Sequence, residues 1–271
     1  MKNSTSVVIS LLILLLTSCK TYYGDGLVGG IYTPMHSPMA KKDTSIVNHT
    51  IGVTYNEDIA YYLGEKNQSG EVSFHRSVSK PNVNYAFGGG LYAGTYDVKN
   101  LSNDLKKLNK KYVYHGGIVR AKVAYNTIKN PNFHWRVIGI QGSWYLERGP
   151  FLDFKNDLIK TNNFDTSGIL KHGTQTVRDF SNISLYPYTE FIFKTGESFT
   201  LSPSLGFGTK INEILGFRGF LSLGISYKNK LNVWVTHQKV GSGFIRQLNN
   251  QFLSQSTGNN VHSQIGISYS F

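Results

Sequence analysis

The chain has 271 residues, one cysteine and a formal net charge of +12, a length that suits one large β domain or two smaller ones. Aromatic residues make up 13% of it, with 17 Tyr, 16 Phe and 28 Gly, a balance that favours strands and tight turns over helices. After residue 18 no apolar run approaches the length of a membrane-spanning helix, which excludes a helical multi-span protein.

Residues 1–18 begin with Lys2, pass through an apolar stretch from Val7 to Leu16 and end on Thr17 and Ser18. The apolar run is too short to stay in a bilayer as a helix, so it reads as a secretory signal. The tetrad Leu16-Thr17-Ser18-Cys19 that follows resembles the bacterial lipobox. That resemblance implies cleavage before Cys19, diacylation of its thiol and acylation of the new amino group. An acylated Cys19 leaves no free thiol, which removes disulfides, cysteine metal sites and cysteine nucleophiles. Two or more acyl chains anchor durably, since each buried methylene contributes roughly 0.8 kcal/mol. Residues 19–24 then form a tether and residues 25–271 the folded domain. An exported chain rarely meets nucleic acid, so the positive charge points to acidic lipid headgroups or lipopolysaccharide as partners.

Twelve strands are expected, near residues 25–33, 46–55, 58–64, 70–78, 83–97, 112–126, 133–147, 180–194, 198–210, 217–227, 230–239 and 262–271. Their signature is alternation. Leu221, Leu223, Ile225 and Tyr227 alternate with Ser222, Gly224 and Ser226, and Ile265, Ile267, Tyr269 and Phe271 alternate with Gln264, Gly266, Ser268 and Ser270. The connections alternate too. Asn56-Glu57, Ser79 to Asn82, Thr127 to Asn132, Thr195 to Glu197 and Lys228-Asn229 are short, whereas Val98 to Lys111, Arg148 to Asp179 and Val240 to Val261 are long.

That rhythm suits a closed antiparallel transmembrane β-barrel, with short periplasmic turns, long outer loops and an even strand number that returns both chain ends to one side. Closure leaves no strand edge without partners in hydrocarbon. Segments 58–64 and 70–78 are short for a full crossing, and the count falls to ten if they or the first strand leave the wall; eight is the lower bound. The final Tyr269-Ser270-Phe271 is similar to the terminal strand of outer-membrane barrels, which implies recognition of Tyr269 and Phe271 by the barrel assembly machinery. Lipobox and barrel together resemble the small outer-membrane barrel lipoproteins of Bacteroidota-type bacteria.

Parity assigns the sides. Val119, Ala121, Val123 and Tyr125 should face lipid and leave Arg120 and Lys122 inside, with Lys210 ending another inward set; Glu71, His75, Glu147 and Glu190 also fall inward. These basic residues could line a channel for anionic solutes, or pair with Glu71, Glu147 and Glu190 and fill a closed barrel, since buried charges usually pair. Trp135, Trp144, Tyr145 and Tyr227 suit interfacial girdles. The Gly88-Gly89-Gly90 run with Gly94 lies within a strand, so it reads as a smooth wall against a neighbouring aromatic, or a bend, and not as a nucleotide loop. An enzyme is not expected: the position two after His237 is Lys239 and Ser242 would face the other side, while His75 and Ser77 share a face and His75 with Glu71 or Ser73 could imitate the base and partner of a lipid hydrolase, a spacing loose enough to arise by chance. No metal-binding motif or cofactor signature occurs.

The expected function is that of a lipid-anchored outer-membrane barrel acting as a structural or accessory subunit, for example of protein secretion or barrel insertion machinery, with other outer-membrane proteins as partners. The mixture of Phe151, Leu152, Phe154, Leu158 and Ile159 in the long loop after Arg148 suits docking. The alternatives are the anion channel and a surface-tethered soluble β-barrel.

Overall fold

Period-two alternation commits each segment to a strand with one apolar and one polar face, and ten such strands close on themselves. In a computed structural model, the chain is described over residues 32–38, 40, 44–60, 65–97, 99, 109–130, 132–154, 181–196, 198–210, 213–240, 247–248, 251–252 and 260–271. The wall strands are β1 (Ile46–Ala60), β2 (Glu65–Ser79), β3 (Val83–Asp97), β4 (Lys111–Asn130), β5 (Phe133–Arg148), β6 (Ser181–Thr195), β7 (Phe199–Lys210), β8 (Glu213–Tyr227), β9 (Leu231–Val240) and β12 (Asn260–Ser270). A two-residue pair, β10 (Gln247–Leu248) with β11 (Gln251–Phe252), stands apart from the barrel.

Each wall strand pairs antiparallel with its neighbours, and β12 closes the ring on β1 with Val53 opposite Ile267 and Asn56 opposite Gln264. The last residue completes the seam: Phe271 donates to the His49 carbonyl at 2.9 Å and accepts from the His49 N–H at 3.1 Å.

The count is ten, the alternative that the short segments had left open, in place of twelve. Segments 46–55 and 58–64 are not two strands about an Asn56-Glu57 turn; β1 runs continuously through both residues. Asn56 is buried in the lumen and accepts from Gln264 at 2.7 Å, so a polar residue that looked like a turn is an inward wall position. Glu65 to Ser69, read as a connection, opens β2. Of the expected first strand 25–33, residues 25–31 lie outside the described residues, while Tyr32 and Thr33 belong to no strand and sit inside the barrel.

With ten strands the two ends of the barrel differ sharply. At the end that carries the start of β1 and the chain terminus, every connection spans two or three residues: 80–82, 131–132, 196–198 and 228–230. The long connections 98–110, 149–180 and 241–259 all lie at the other end, with the short 61–64 and 211–212. The 228–230 hairpin shows how tight the first end is. Lys228 and Asn229 adopt φ of 51° and 55°, and the Lys230 N–H donates to the Tyr227 carbonyl at 3.0 Å, a geometry matching the right-handed twist of the strands.

The wall is apolar outside and polar inside. Val53, Val72, Phe87, Leu91, Val119, Ile138, Leu205, Leu221 and Ile265 are exposed, while Thr50, Thr54, Ser77, Gln141, Ser222, Thr236 and Gln264 are buried. A continuous apolar band around a closed barrel is stable against lipid and costly against water, which removes the soluble tethered barrel. Aromatics collect on the outer face near the short-turn end, where Phe133 meets Phe193 at 5.0 Å, Trp135 meets Phe191 at 5.8 Å and Phe199 meets Tyr227 at 5.0 Å. Tyr145 is not part of a girdle: it is inward and buried.

The inward aromatics lie flat across glycines of the adjacent strand. Tyr114 covers Gly94, Tyr188 covers Gly139 and Trp234 covers Gly266, each pair directly opposite in register. A Cβ at any of these three glycines would come within 2.2 to 2.5 Å of the ring. The glycines therefore let large side chains fold against the wall, leaving the middle of the bore for something else.

Candidate functional site: a peptide held in the bore

The bore holds a segment of the same chain. Tyr32, Thr33, Met35 and Ser37 are buried there without entering any strand ladder. Pro34 and Pro38 suit such a path, because each lacks an N–H and favours extended backbone.

An extended chain without a ladder must satisfy its main-chain groups elsewhere, and the wall side chains do this. The Tyr32 N–H donates to Gln238 Oε1 at 3.1 Å. The Thr33 carbonyl accepts from Gln141 Nε2 at 3.0 Å, the Met35 carbonyl from Lys122 Nζ, and the Ser37 carbonyl from Arg136 Nη2 at 2.7 Å. Residues 33, 35 and 37 present alternate carbonyls, so one side of the peptide faces a column of donors on β4 and β5. On another side the His36 carbonyl lies 3.0 Å from His75 Nε2 of β2. The Thr33 hydroxyl accepts from Arg120 Nη2 at 3.2 Å and from Gln264 Nε2 at 2.8 Å. The Tyr32 ring stacks on Phe220 at 4.0 Å and touches Tyr186 and Tyr188.

These contacts give the segment a direction. Gln238 lies toward the long-loop end of β9, whereas Arg136 lies near the short-turn end of β5, so the chain runs from mid-bore toward the short-turn mouth and then enters β1.

The charged residues of the bore are arranged around this peptide. Arg120 makes a bidentate ion pair with Glu71, both fully withdrawn from solvent. Lys122 is buried against the Met35 carbonyl, and Glu147 is buried on β5 opposite Gly116. Glu190 pairs with Arg136 at 2.6 Å. Lys210 closes β7, opposite Ser184 in register; its side chain lies outside the described residues, as does Cys19. Tyr269 and Phe271 are exposed on the outer wall.

Arg136, Gln141, Gln238 and the peptide itself were not singled out by parity. Arg136 is hidden by a bulge: Tyr125 faces Ile138 while Asn126 faces Arg136, so Val137 is an extra residue and the inward set switches from His134 and Arg136 to Gly139, Gln141 and Glu147. The adjacent apolar residues Val137 and Ile138 break the alternation and are the signal for it.

The long-loop mouth carries an aromatic cap. A single helical turn over residues 150–154 brings Phe151 onto Tyr96 at 4.4 Å and Phe154 onto Tyr112 at 4.5 Å. Phe151, Leu152 and Phe154 are therefore buried within the chain and are not free for docking. Leu158 and Ile159 lie outside the described residues.

His237 is exposed on the outer wall with its Nδ1 3.4 Å from Ser263 Oγ on the paired strand. On the far side of Ser263, Glu57 is engaged by Lys66 and Gln68. Among the described residues no group of three or more His, Cys, Asp or Glu side chains could hold a metal ion.

No protein-family model matches the sequence, and no curated protein matches it. Solved structures with similar barrels include the transport unit of the autotransporter AIDA-I from Escherichia coli, at 11% identity and TM-score 0.39, covering 85% of this chain and 91% of that one. They also include the outer membrane protein OprG from Pseudomonas aeruginosa, at 9% identity and TM-score 0.36 over 85% and 97%. A third is the outer membrane protease OmpT from Escherichia coli, at 10% identity and TM-score 0.36 over 83% and 96%. These likenesses are of barrel architecture alone.

Proposed function

We propose that the chain is a lipid-anchored outer-membrane β-barrel, closed by its own N-terminal segment, that serves as a structural or accessory subunit of an outer-membrane assembly such as protein secretion or barrel insertion machinery. The observation that carries this reading is the occupied bore: Thr33, Met35 and Ser37 take up the donors of Gln141, Lys122 and Arg136, while Arg120 is paired with Glu71. Among the described residues, the basic side chains Arg120 and Lys122 that an anionic solute would need are already bound.

The apolar outer wall supports a membrane location, and the uniformly short connections beside both the start of β1 and the chain end support a periplasmic placement of that face. The lipobox resemblance at Cys19 supports acylation and, with it, outer-membrane lipids and lipopolysaccharide as surroundings. Tyr269 and Phe271 are the residues on which recognition by the barrel assembly machinery would rest. With the bore filled, the long connections 149–180 and 241–259 remain as surfaces for other outer-membrane proteins.

Two measurements test the reading together. Purified intact protein in planar bilayers should give no single-channel steps, and a mild-detergent pull-down from the native membrane should recover defined outer-membrane partners. Anion-selective steps abolished by Lys122→Glu would replace the accessory role with a channel.

A further inference from the structure

The contacts that hold Tyr32–Pro38 are unusual in kind. A plug that is simply part of a folded core would be expected to interlock by its own side chains or to join a strand ladder. Here the wall reads mainly main-chain groups: four carbonyls, of Thr33, Met35, His36 and Ser37, and one N–H, of Tyr32. Side chains add an aromatic ring for the Phe220, Tyr186 and Tyr188 socket with its hydroxyl on Ser204, one hydroxyl for Arg120 and Gln264, and the buried Met35.

Main-chain recognition is common to every extended polypeptide, and the donor column matches its period. Successive carbonyls on one side of an extended chain recur every second residue, and Gln141, Lys122 and Arg136 meet residues 33, 35 and 37 in that order. Two of the donors to the peptide are held from behind. Arg136 is fixed by Glu190 and Arg120 by Glu71, so both guanidinium groups keep their positions whichever peptide lies in front of them. Long donors on a rigid wall, two of them pre-set by carboxylates, are the features of a binding site.

We infer that the bore is a receptor site for an extended, uncharged polypeptide strand led by an aromatic residue, and that Tyr32–Pro38 fills it as a tethered ligand that a second chain of the same chemistry can replace. The site takes an aromatic side chain at its first position, a small hydroxyl residue at its second, an apolar side chain at its fourth, and main-chain carbonyls at the second, fourth, fifth and sixth. An acidic side chain placed beside Glu71 or Glu190 would meet a like charge, so an uncharged strand suits this register. The inference goes beyond the accessory role by naming the kind of partner the bore would admit.

The test separates the tether from the barrel after folding. A protease cleavage site is inserted between Thr44 and Ser45, both exposed, and the full chain is folded into detergent and cut. Folding is checked by heat-modifiable migration before and after cleavage. Cut protein, washed and placed in planar bilayers, should conduct where uncut protein does not. A synthetic peptide with the sequence of residues 32–38 should then close it saturably, and a scrambled peptide should not. In the cut protein, Arg136→Ala and Lys122→Met should each raise the half-blocking peptide concentration roughly tenfold or more, as expected for loss of a hydrogen bond from a charged donor. Deletion of residues 32–38 gives a second route to the open barrel if cleavage is inefficient.

A cut segment that stays bound through dilution and against excess peptide would make Tyr32–Pro38 permanent core and overturn the inference, as would a conducting barrel that the peptide fails to close. Neither result touches the closed accessory subunit of the preceding section. Conduction by uncut protein, by contrast, would sink that reading and leave the peptide site to be judged by the blocking experiment alone.

Discussion

The Arg136 guanidinium joins two partners that share no strand: it pairs with Glu190 at 2.6 Å and donates to the Ser37 carbonyl at 2.7 Å. One buried side chain thus fastens the peptide in the bore to the β5–β6 wall. Arg136→Met removes both contacts and leaves Glu190 facing a low-dielectric interior. Breaking a buried pair from one side costs about 3–5 kcal/mol, and partial exposure of Glu190 places this one toward the lower figure. The urea midpoint of the variant in detergent should fall, and brief conductance openings should appear in bilayers; an unchanged midpoint with a silent bilayer record would refute the fastening role.

Glu71 and Arg120 form a second pair, fully buried, on β2 and β4. Glu71→Gln leaves the guanidinium uncompensated and should lower stability by about 3 kcal/mol or more. Because the penalty is that of an orphaned charge, the double variant Glu71→Gln, Arg120→Met should recover much of it. A double-mutant cycle in urea measures the coupling; additive losses would show that the pair does not act as a unit.

Gly139 lies directly under the Tyr188 ring, where a Cβ would come 2.3 Å from a ring carbon. Gly139→Val should displace Tyr188 and disturb the socket around Tyr32, costing about 1–3 kcal/mol as overpacking does. Gly219→Ala is the control, since an added Cβ there meets nothing within 4 Å. The difference in thermal midpoint between the two variants is the measurement, and equal midpoints would count against the ring-over-glycine account.

Thr44 and Ser45 precede β1 at the short-turn end. If that end faces the periplasm, a membrane-impermeant maleimide should label Thr44→Cys, made in a Cys19→Ser background, only after the outer membrane is permeabilised. Labelling on intact cells would invert the orientation.

A chain that crosses the membrane on ten strands has little need of acyl groups for retention. Cys19→Ser should therefore leave a heat-modifiable barrel in the membrane pellet yet reduce recovery of partners in the pull-down. Full recovery would remove acylation from the proposed assembly role.

Much of the wall was legible in the sequence because alternation is a local property. Leu221, Leu223 and Ile225 on one side and Ser222, Gly224 and Ser226 on the other specify faces by residue spacing alone, and the terminal Ile265 to Phe271 does the same. A glycine within a strand invites an aromatic from the next, as Tyr114 over Gly94 shows. Asn56 and Glu57 read as a turn but continue β1, because Asn56 faces a polar lumen where its Oδ1 accepts from Gln264, and Glu57 faces out beside Lys66 and Gln68. Arg136 escapes the pattern because one extra residue at Val137 shifts the parity within a strand.

By itself, then, the sequence determined the strand character of the chain, the apolar and polar faces of most strands, and the tight turns that join alternate pairs, all of which follow from backbone geometry over a few residues. Only the tertiary structure decided that ten strands close the ring, that His49 and Phe271 seal it, and that Tyr32–Pro38 lies in the bore. Those outcomes depend on contacts between residues about 100 to 220 positions apart, such as Ser37 with Arg136 and Thr50 with Ser270, and no local pattern encodes which distant donor will meet a given carbonyl.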